Sequence, residues 1–218
     1  GTTLRNIELL DMLAGDGADN VTFKMAASVP GVHLFDANGG DDHVTVDFSG
    51  FTEAVRLRGT DGSPLTYYAE TIDGSHRVQL RDVERYTFLG GSGADDIQTS
   101  SWVKGNDVLS GNGGDDIIRA GKGNDILNGG SGADQLYGGD GQDVLNGGSG
   151  DDTLSVGGDG VDVVDGGTGT DQLGLTRTSA TQGFSFTFDP TSTDTLTLVD
   201  GTTLRNIELL DMLAGDGA

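Results

Sequence analysis

Residues 102–174 read WVKGNDVLS-GNGGDDIIR-AGKGNDILN-GGSGADQLY-GGDGQDVLN-GGSGDDTLS-V-GGDGVDVVD-GGTGTDQLG, which is eight nine-residue units with one inserted residue, Val156. Each unit approximates the pattern G-G-x-G-x-D-x-U-x, in which U is a large apolar residue. The sixth position is Asp and the eighth is apolar in all eight units. A repeat this strict predicts a stack of similar coils that bury their apolar residues against one another. A solvated acidic linker would not hold an apolar residue in phase over this length.

The pattern also predicts the shape of one coil. Glycines at positions one, two and four permit tight turns, and the last three residues form a short strand whose eighth position points inward. Two units would then complete a coil, so that units two apart in sequence stack directly. The sixth-position aspartates form two ladders, which are Asp107, Asp125, Asp143 and Asp162 on one side and Asp116, Asp134, Asp152 and Asp171 on the other. We therefore expect an all-β fold, a parallel β-roll (β-solenoid) with flanking strand and hairpin connectors.

Stacked carboxylates predict bound cations. Adjacent strands lie about 4.8 Å apart, and carboxylates at that spacing repel one another unless a cation lies between them. Carboxylate oxygens combined with the carbonyl oxygens of glycine-rich turns favour Ca²⁺ over Mg²⁺ or Zn²⁺. Two ladders of four leave six gaps, and six Ca²⁺ ions would change the net charge from −23 to −11. Folding and metal binding are therefore expected to be coupled.

The units GNGGDDIIR, AGKGNDILN, GGSGADQLY, GGDGQDVLN and GGSGDDTLS resemble the nonapeptides of the RTX (repeats-in-toxin) family. The resemblance implies parallel β-rolls that bind Ca²⁺ between successive turns, in proteins exported from Gram-negative bacteria by type I secretion. It assigns the calcium carboxylates to the eight sixth-position aspartates and leaves positions one to four to supply carbonyl oxygens. Unit 102–110 has Trp102 and Val103 in place of the first two glycines, so the roll is expected to start or to be capped there.

Weaker copies of the unit lie outside the main block. AGDGADNVT (14–22) and ANGGDDHVT (37–45) place Asp19 and Asp42 at the sixth position, on the same side of a second, irregular coil. A calcium site there and two unliganded turns remain alternatives. LRDVERYTFLGGSGADDIQ (80–98) aligns without gaps to LRNIELLDMLAGDGADNVT (4–22) and contains Asp95. We expect Asp95 to join the ladder beside Asp116, which would add a seventh site, with residues 99–101 bulging outward.

Composition divides the chain into four segments: a lead-in with irregular turns (1–45), an aromatic β-strand region (46–88), the roll (89–174) and a β connector that begins the next unit (175–218). Asp73-Gly74 and Asp200-Gly201 predict hairpins. FSFTF (184–188) alternates as a strand does. A separate small β domain fits the last segment nearly as well.

Two further features bear on neighbouring modules. Residues 1–18 recur unchanged as residues 201–218, which predicts a parent protein with a 200-residue period, although a designed duplication remains an alternative. Position seven should face outward and is aliphatic on one side only, at Val108, Ile126, Val144 and Val163. We hypothesise that the 46–88 region or a neighbouring module covers this aliphatic ladder. A solvated sheet of high β-propensity is the other interpretation.

Several functional classes are disfavoured. Twelve Lys and Arg against 35 Asp and Glu argue against nucleic acid or anionic membranes as partners. There is no Cys, and no apolar run approaches the ~20 residues of a membrane span. No signal peptide is visible at the N-terminus, although an internal fragment would not show one. The three histidines, His33, His43 and His76, form no zinc motif, and no nucleophile elbow is present. We therefore expect a chain that is not an enzyme.

Two functions remain open. The first is a Ca²⁺-binding structural repeat module of a giant secreted bacterial surface protein, such as an adhesin, surface-layer component or filament. Its partners would be calcium ions and neighbouring copies of the unit, and it would fold outside the cell after export. The second is a folding, secretion or binding module attached to a secreted enzyme such as a protease, lipase or epimerase. The first predicts further copies of the unit in the parent, whereas the second predicts a catalytic domain.

Overall fold

The computed structural model of the chain describes residues 9–60, 63–99, 104–158, 160–177, 190–191 and 194–214. These residues form strands and turns, and none of them belongs to a helix long and apolar enough to cross a membrane. The strands are β1 (Leu9–Leu13), β2 (Asn20–Lys24), β3 (Gly31–Asp36), β4 (His43–Asp47), β5 (Val55–Thr60), β6 (Ser63–Thr71), β7 (His76–Arg81), β8 (Arg85–Leu89), β9 (Asp96–Gln98), β10 (Val108–Gly113), β11 (Ile117–Lys122), β12 (Ile126–Ser131), β13 (Gln135–Asp140), β14 (Val144–Ser149), β15 (Thr153–Gly157), β16 (Val163–Thr168), β17 (Gln172–Arg177), β18 (Leu196–Thr197), β19 (Thr203–Arg205) and β20 (Leu209–Ala214).

The strands form two sheets that face each other across one core. Eleven strands pair in the order β1-β3-β7-β6-β5-β9-β11-β13-β15-β17-β20, and nine pair in the order β18-β19-β16-β14-β12-β10-β8-β4-β2. From β10 to β17 the chain alternates between the sheets, so that each pair of strands completes one coil and every neighbouring strand is parallel. The fold is the predicted all-β parallel roll.

The register follows the nonapeptide. Eighth-position residues pair from coil to coil, as in Leu109 with Leu127 and Leu127 with Leu145, and their side chains are fully buried. The inserted Val156 is also buried and pairs with Leu175, and the register between β13 and β15 shifts at Val156, between the pairs Tyr137–Ser155 and Asp140–Gly157. The insertion therefore adds one core residue while the strands on either side keep stacking.

The aromatic segment continues the roll. β4 and β8 stack on β10 in the nine-stranded sheet, and β5, β6 and β7 form an antiparallel run within the eleven-stranded sheet. Phe48, Phe51 and Phe88 are buried in the same hydrophobic cluster as the leucines of the roll. All four segments predicted from composition thus contribute strands to the same two sheets.

Both hairpin predictions are confirmed by strand pairing. β6 and β7 are antiparallel around Asp73-Gly74, where Gly74 adopts a positive φ of 71°, and β18 and β19 are antiparallel around Asp200-Gly201. The predicted FSFTF strand lies outside the described residues. Thr99, expected in an outward bulge, is instead buried and donates its main-chain N–H to the carbonyl of Arg119 at 2.9 Å.

The outward aliphatic ladder is not covered by the 46–88 region. Ile126, Val144 and Val163 are 41%, 39% and 46% exposed. The aromatic segment continues the stack lengthwise, because β4 and β8 pair next to β10 in the plane of the sheet. The part of the hypothesis that placed residues 46–88 over this face is therefore wrong.

Candidate metal centre

The sixth-position aspartates lie where each turn enters a strand, and in the nine-stranded sheet they stack in the predicted order. Each carboxylate after the first accepts a hydrogen bond from the main-chain N–H of the aspartate one coil earlier. The N–H of Asp107 donates to Asp125 Oδ1 at 2.8 Å, that of Asp125 to Asp143 Oδ1 at 3.0 Å, and that of Asp143 to Asp162 Oδ1 at 2.9 Å. These four residues form the first predicted ladder.

The second ladder has the same construction on the eleven-stranded sheet. The N–H groups of Asp116, Asp134 and Asp152 donate to the carboxylates of Asp134, Asp152 and Asp171, each at 2.8 Å. Asp95 joins this ladder, because its N–H donates to Asp116 Oδ1 at 2.7 Å. The sequence thus predicted which aspartates meet on each side of the roll.

The second oxygen of most of these carboxylates has no hydrogen-bond partner. Oδ2 is buried and accepts no hydrogen bond in eight aspartates, namely Asp19, Asp42, Asp116, Asp125, Asp134, Asp143, Asp152 and Asp171. A buried polar atom without a partner costs free energy, and a charged one costs more. Because native structures satisfy nearly all such atoms, an orphaned oxygen repeated at equivalent places indicates that a cation belongs there.

In five units of the roll the first residue is a glycine that leaves space beside the aspartate of the same unit, namely Gly111, Gly129, Gly138, Gly147 and Gly166. A Cβ added to Gly129 would overlap Asp134 Oδ2 and would lie 2.6 Å from the carbonyl oxygen of Gly147, one coil further on. The same holds at Gly147, where a Cβ would overlap Asp152 Oδ2 and the carbonyl oxygen of the next coil. At Gly129 and Gly147, a free carboxylate oxygen and a carbonyl oxygen of the following coil therefore converge over a bare glycine Cα, whereas Ala120 takes this position in the unit of Asp125.

The electrostatics of the ladders also favour a cation. Burial raises the pKa of Asp116 to about 8 and that of Asp125 to about 7, and the neighbouring ladder carboxylates add to both shifts. Burial raises the pKa to about 6 in a further five aspartates, namely Asp95, Asp107, Asp143, Asp152 and Asp171. An aspartate with an ordinary pKa is ionised at neutral pH. Without a cation, burial in the folded state therefore disfavours the charged form of these aspartates.

Two ladder members, Asp95 and Asp107, receive additional hydrogen bonds from protein groups. Asp95 accepts main-chain N–H groups on both oxygens, from Val55 at 2.7 Å and from Gly91 at 2.8 Å. Asp107 accepts the N–H of Tyr86 at 2.8 Å, and a hydrogen bond from the side chain of Thr99 lowers the pKa that burial raises. Where the roll meets the aromatic segment, hydrogen bonds from protein groups therefore satisfy carboxylate oxygens whose equivalents in later coils have no partner.

The irregular coil extends the nine-stranded side. The N–H of Asp19 donates to Asp42 Oδ1 at 2.7 Å, so these two residues lie on one side as predicted. The N–H of Asp42 in turn donates to Glu84 Oε2 at 2.9 Å. The next link is made by the N–H of Tyr86, two residues after Glu84, which donates to Asp107. The irregular coil and the main roll are thus one stack with a two-residue offset between them.

Sequence reasoning missed two glutamates that close the ladders. Glu84 closes the Asp19–Asp42 pair, and Glu208 accepts the N–H of Asp171 at 2.7 Å. Both follow the same turn, L-R-[DN]-[VI]-E, in which Asp82 and Asn206 adopt positive φ values of 53° and 52°. The alignment of residues 80–98 with 4–22 already contained the shared glutamate, which was the signal that could have identified it.

Calcium fits the donor set. Among the described residues, no three His, Cys, Asp or Glu side chains converge on one point, so each candidate site combines one or two carboxylates with main-chain carbonyls. An all-oxygen set of this kind suits Ca²⁺, which accepts carbonyl ligands and flexible geometry. The residues that would hold the ions are the aspartates with a free Oδ2 and the first-position glycines of the following coil.

Comparison with known proteins agrees with this geometry. A model of the RTX calcium-binding nonapeptide repeat, four copies long, matches residues 103–127, 120–154 and 156–173. No curated protein matched the chain. The matched repeat is a non-catalytic calcium-binding element typical of secreted proteins. The stretch from residue 103 to residue 173 is therefore a block of RTX calcium-binding repeats.

Proposed function

We propose that this chain is a Ca²⁺-binding structural repeat module of a large secreted bacterial surface protein, and that it folds when it meets calcium outside the cell. The observation that supports the proposal most strongly is the series of buried Oδ2 atoms without partners, repeated along both sides of the roll. A bound cation would satisfy these oxygens and compensate the charge of the ionised carboxylates.

Calcium would act as a switch between compartments. Weak extracellular calcium modules have Kd values of about 10⁻⁴–10⁻³ M. Such sites stay empty at cytosolic calcium concentrations and fill outside the cell, and the free energy of binding then becomes free energy of folding. The aspartates carry this role in two ladders, and about six or seven ions would occupy the main roll.

A structural role is favoured over a catalytic one by the identity of residues 1–18 with residues 201–218, which fits an array of copies. The alternative, a module attached to a secreted enzyme, predicts a different parent. The full reading frame distinguishes them, since an array contains further copies of this unit and an enzyme contains a catalytic domain.

The location can be tested on intact cells that make the parent protein. An antibody against this module should label the cell surface or the medium, and added protease should cleave the module in chelator but not at millimolar calcium. Protection that is equal in chelator and calcium, or a module confined to the cytoplasm, would refute the proposal.

A further inference from the structure

The same residues form one strand at each end of the stack. LLDMLA occurs at 9–14 and again at 209–214, and we call these two copies the seam strand. The first copy, as β1, pairs in parallel with β3, with Leu10 opposite His33 and Met12 opposite Phe35. The second copy, as β20, pairs in parallel with β17, with Leu210 opposite Leu173. One sequence therefore has two different parallel partners.

The two pairings use different main-chain groups. Toward β17, the N–H of Leu209 donates to the carbonyl of Asp171 at 2.9 Å. Toward β3, the N–H of Ala14 donates to the carbonyl of Asp36 at 2.8 Å. Leu209 and Ala14 are the first and sixth residues of the seam strand, so they differ in parity. Because alternate residues of a strand point their N–H groups to opposite neighbours, a single seam strand can make both pairings at once.

The chain contains an example in which this happens. β8 belongs to the segment that aligns with residues 4–22, so that Arg85 corresponds to Leu209 and Gly90 to Ala14. The N–H of Arg85 donates to Asp42 of the preceding coil at 3.0 Å, and the N–H of Gly90 donates to Ser110 of the following coil at 2.7 Å. β8 therefore pairs with β4 on one edge and β10 on the other. It does so through the two main-chain N–H groups that correspond to those of Leu209 and Ala14, each of which is used in only one copy of the seam strand.

Inward side chains are less buried in the seam strand, which has one neighbouring strand, than in β8, which has two. The inward residues of β8, Tyr86 and Phe88, are only 3% and 0% exposed. The inward residues at the corresponding positions of the seam strand are only partly buried, and they are Leu10, Met12, Leu210 and Met212. A second neighbouring strand would complete their burial.

We propose that successive units of the parent share the seam strand, so that β17 of one unit and β3 of the next pair with its two edges in a continuous solenoid without a linker. This inference rests on the proposed array of units. β20 lies ten strand positions beyond β1 in the eleven-stranded sheet. At the ~4.8 Å spacing of adjacent strands, each unit adds up to about 48 Å along this sheet.

The test is a two-unit chain in which residues 1–200 are followed directly by residues 1–218. Small-angle X-ray scattering in calcium should show one rigid rod whose maximum dimension exceeds that of the single unit by up to about 48 Å. Scattering from two bodies that move about a flexible joint would overturn the shared strand. Circular dichroism of the same sample in chelator and in calcium reports separately on the proposed calcium role, so the two failures can be told apart.

A point variant at the joint adds a second readout. Met12→Asp in the second unit places a charge in the core of the shared strand, whereas Asp11→Asn in the same strand changes a residue that is exposed in β1. The first variant should create a protease-sensitive hinge at the joint while the distal rolls keep their calcium-dependent circular dichroism. The second should leave the rod intact. Equal protease resistance in both variants would contradict the inference.

Discussion

Asp134→Asn separates the two roles of a ladder aspartate. Asn retains an oxygen that accepts the N–H of Asp116, which donates to Asp134 Oδ1 at 2.8 Å. It replaces the orphaned Oδ2 by an amide nitrogen, which cannot bind a cation. The substitution also removes a carboxyl whose pKa burial raises. We therefore expect the variant to be less stable than the unsubstituted chain in calcium, and no less stable than it in the absence of calcium.

The size of the loss follows from linkage. For one site with a Kd of ~10⁻⁴–10⁻³ M, ~10 mM free calcium contributes about 1.4–2.7 kcal/mol to the free energy of unfolding. For a chain of this size, that loss would lower the Tm in calcium by roughly 3–10 °C. Thermal unfolding followed by circular dichroism measures it in calcium. If the chain is unfolded in chelator, the calcium concentration at the midpoint of folding is measured in place of Tm. This concentration should be higher for the variant than for the unsubstituted chain.

Asp115→Asn is the matched control. Asp115 Oδ1 also accepts a main-chain N–H from the next coil, that of Ala133 at 2.8 Å, but the residue is exposed. Asn already occupies the equivalent position at Asn106 and Asn124. Asp115 also raises the pKa of Asp134 through its charge, so the control should change the Tm and the calcium midpoint by less than Asp134→Asn does. An equal loss of stability for Asp134→Asn in chelator and calcium would show that the carboxylate is only structural and would refute the reasoning.

Three further predictions address the turns and the charges. Gly147→Ala should lower stability in calcium by at least about 1–3 kcal/mol. Gly113→Ala, whose Cβ would lie 3.2 Å from the Ser131 hydroxyl and in ordinary van der Waals contact with Ser92, should be neutral in the same thermal melts. Because the folded-state pKa of Asp116 is raised to about 8, well above its ordinary 3.8, the metal-free fold binds extra protons between these values and loses stability as pH rises. In chelator, circular dichroism should thus show more β structure at pH 5 than at pH 8, and the opposite slope would contradict the shift. Glu84→Ala leaves the N–H of Asp42 without its acceptor and should cost about 1–3 kcal/mol by urea unfolding; an unchanged urea midpoint would remove Glu84 from the ladder.

The roll itself was predictable because its period is short and local. A glycine, an aspartate and an apolar residue in fixed phase determine the turn, the ladder and the core. The partner of Asp116 therefore follows from counting eighteen residues, and that of Asp143 from counting nineteen because Val156 is inserted. The orphaned oxygen was not predictable to the same degree, since Asp95 and Asp107 have the same place in the pattern and yet receive protein donors.

The remaining features depend on contacts between segments without a common period. Composition predicts that the aromatic segment 46–88 is distinct from the roll. In the structure, Phe48 and Phe88 are buried in the same core as the leucines of the roll. Glu84 and Glu208 close the ladders from a different motif, and only stacking shows which main-chain N–H each one meets. Alternation predicts that Ile126 faces outward, but it does not predict whether another segment covers this residue.

The central claim is that calcium between superposed aspartates holds this acidic chain in its folded state. Far-ultraviolet circular dichroism in excess chelator, followed by a titration with Ca²⁺ to the millimolar range, tests it most directly. The account predicts a largely unfolded spectrum in chelator at neutral pH and a cooperative gain of β signal as calcium is added. A full β spectrum that persists in chelator would contradict it.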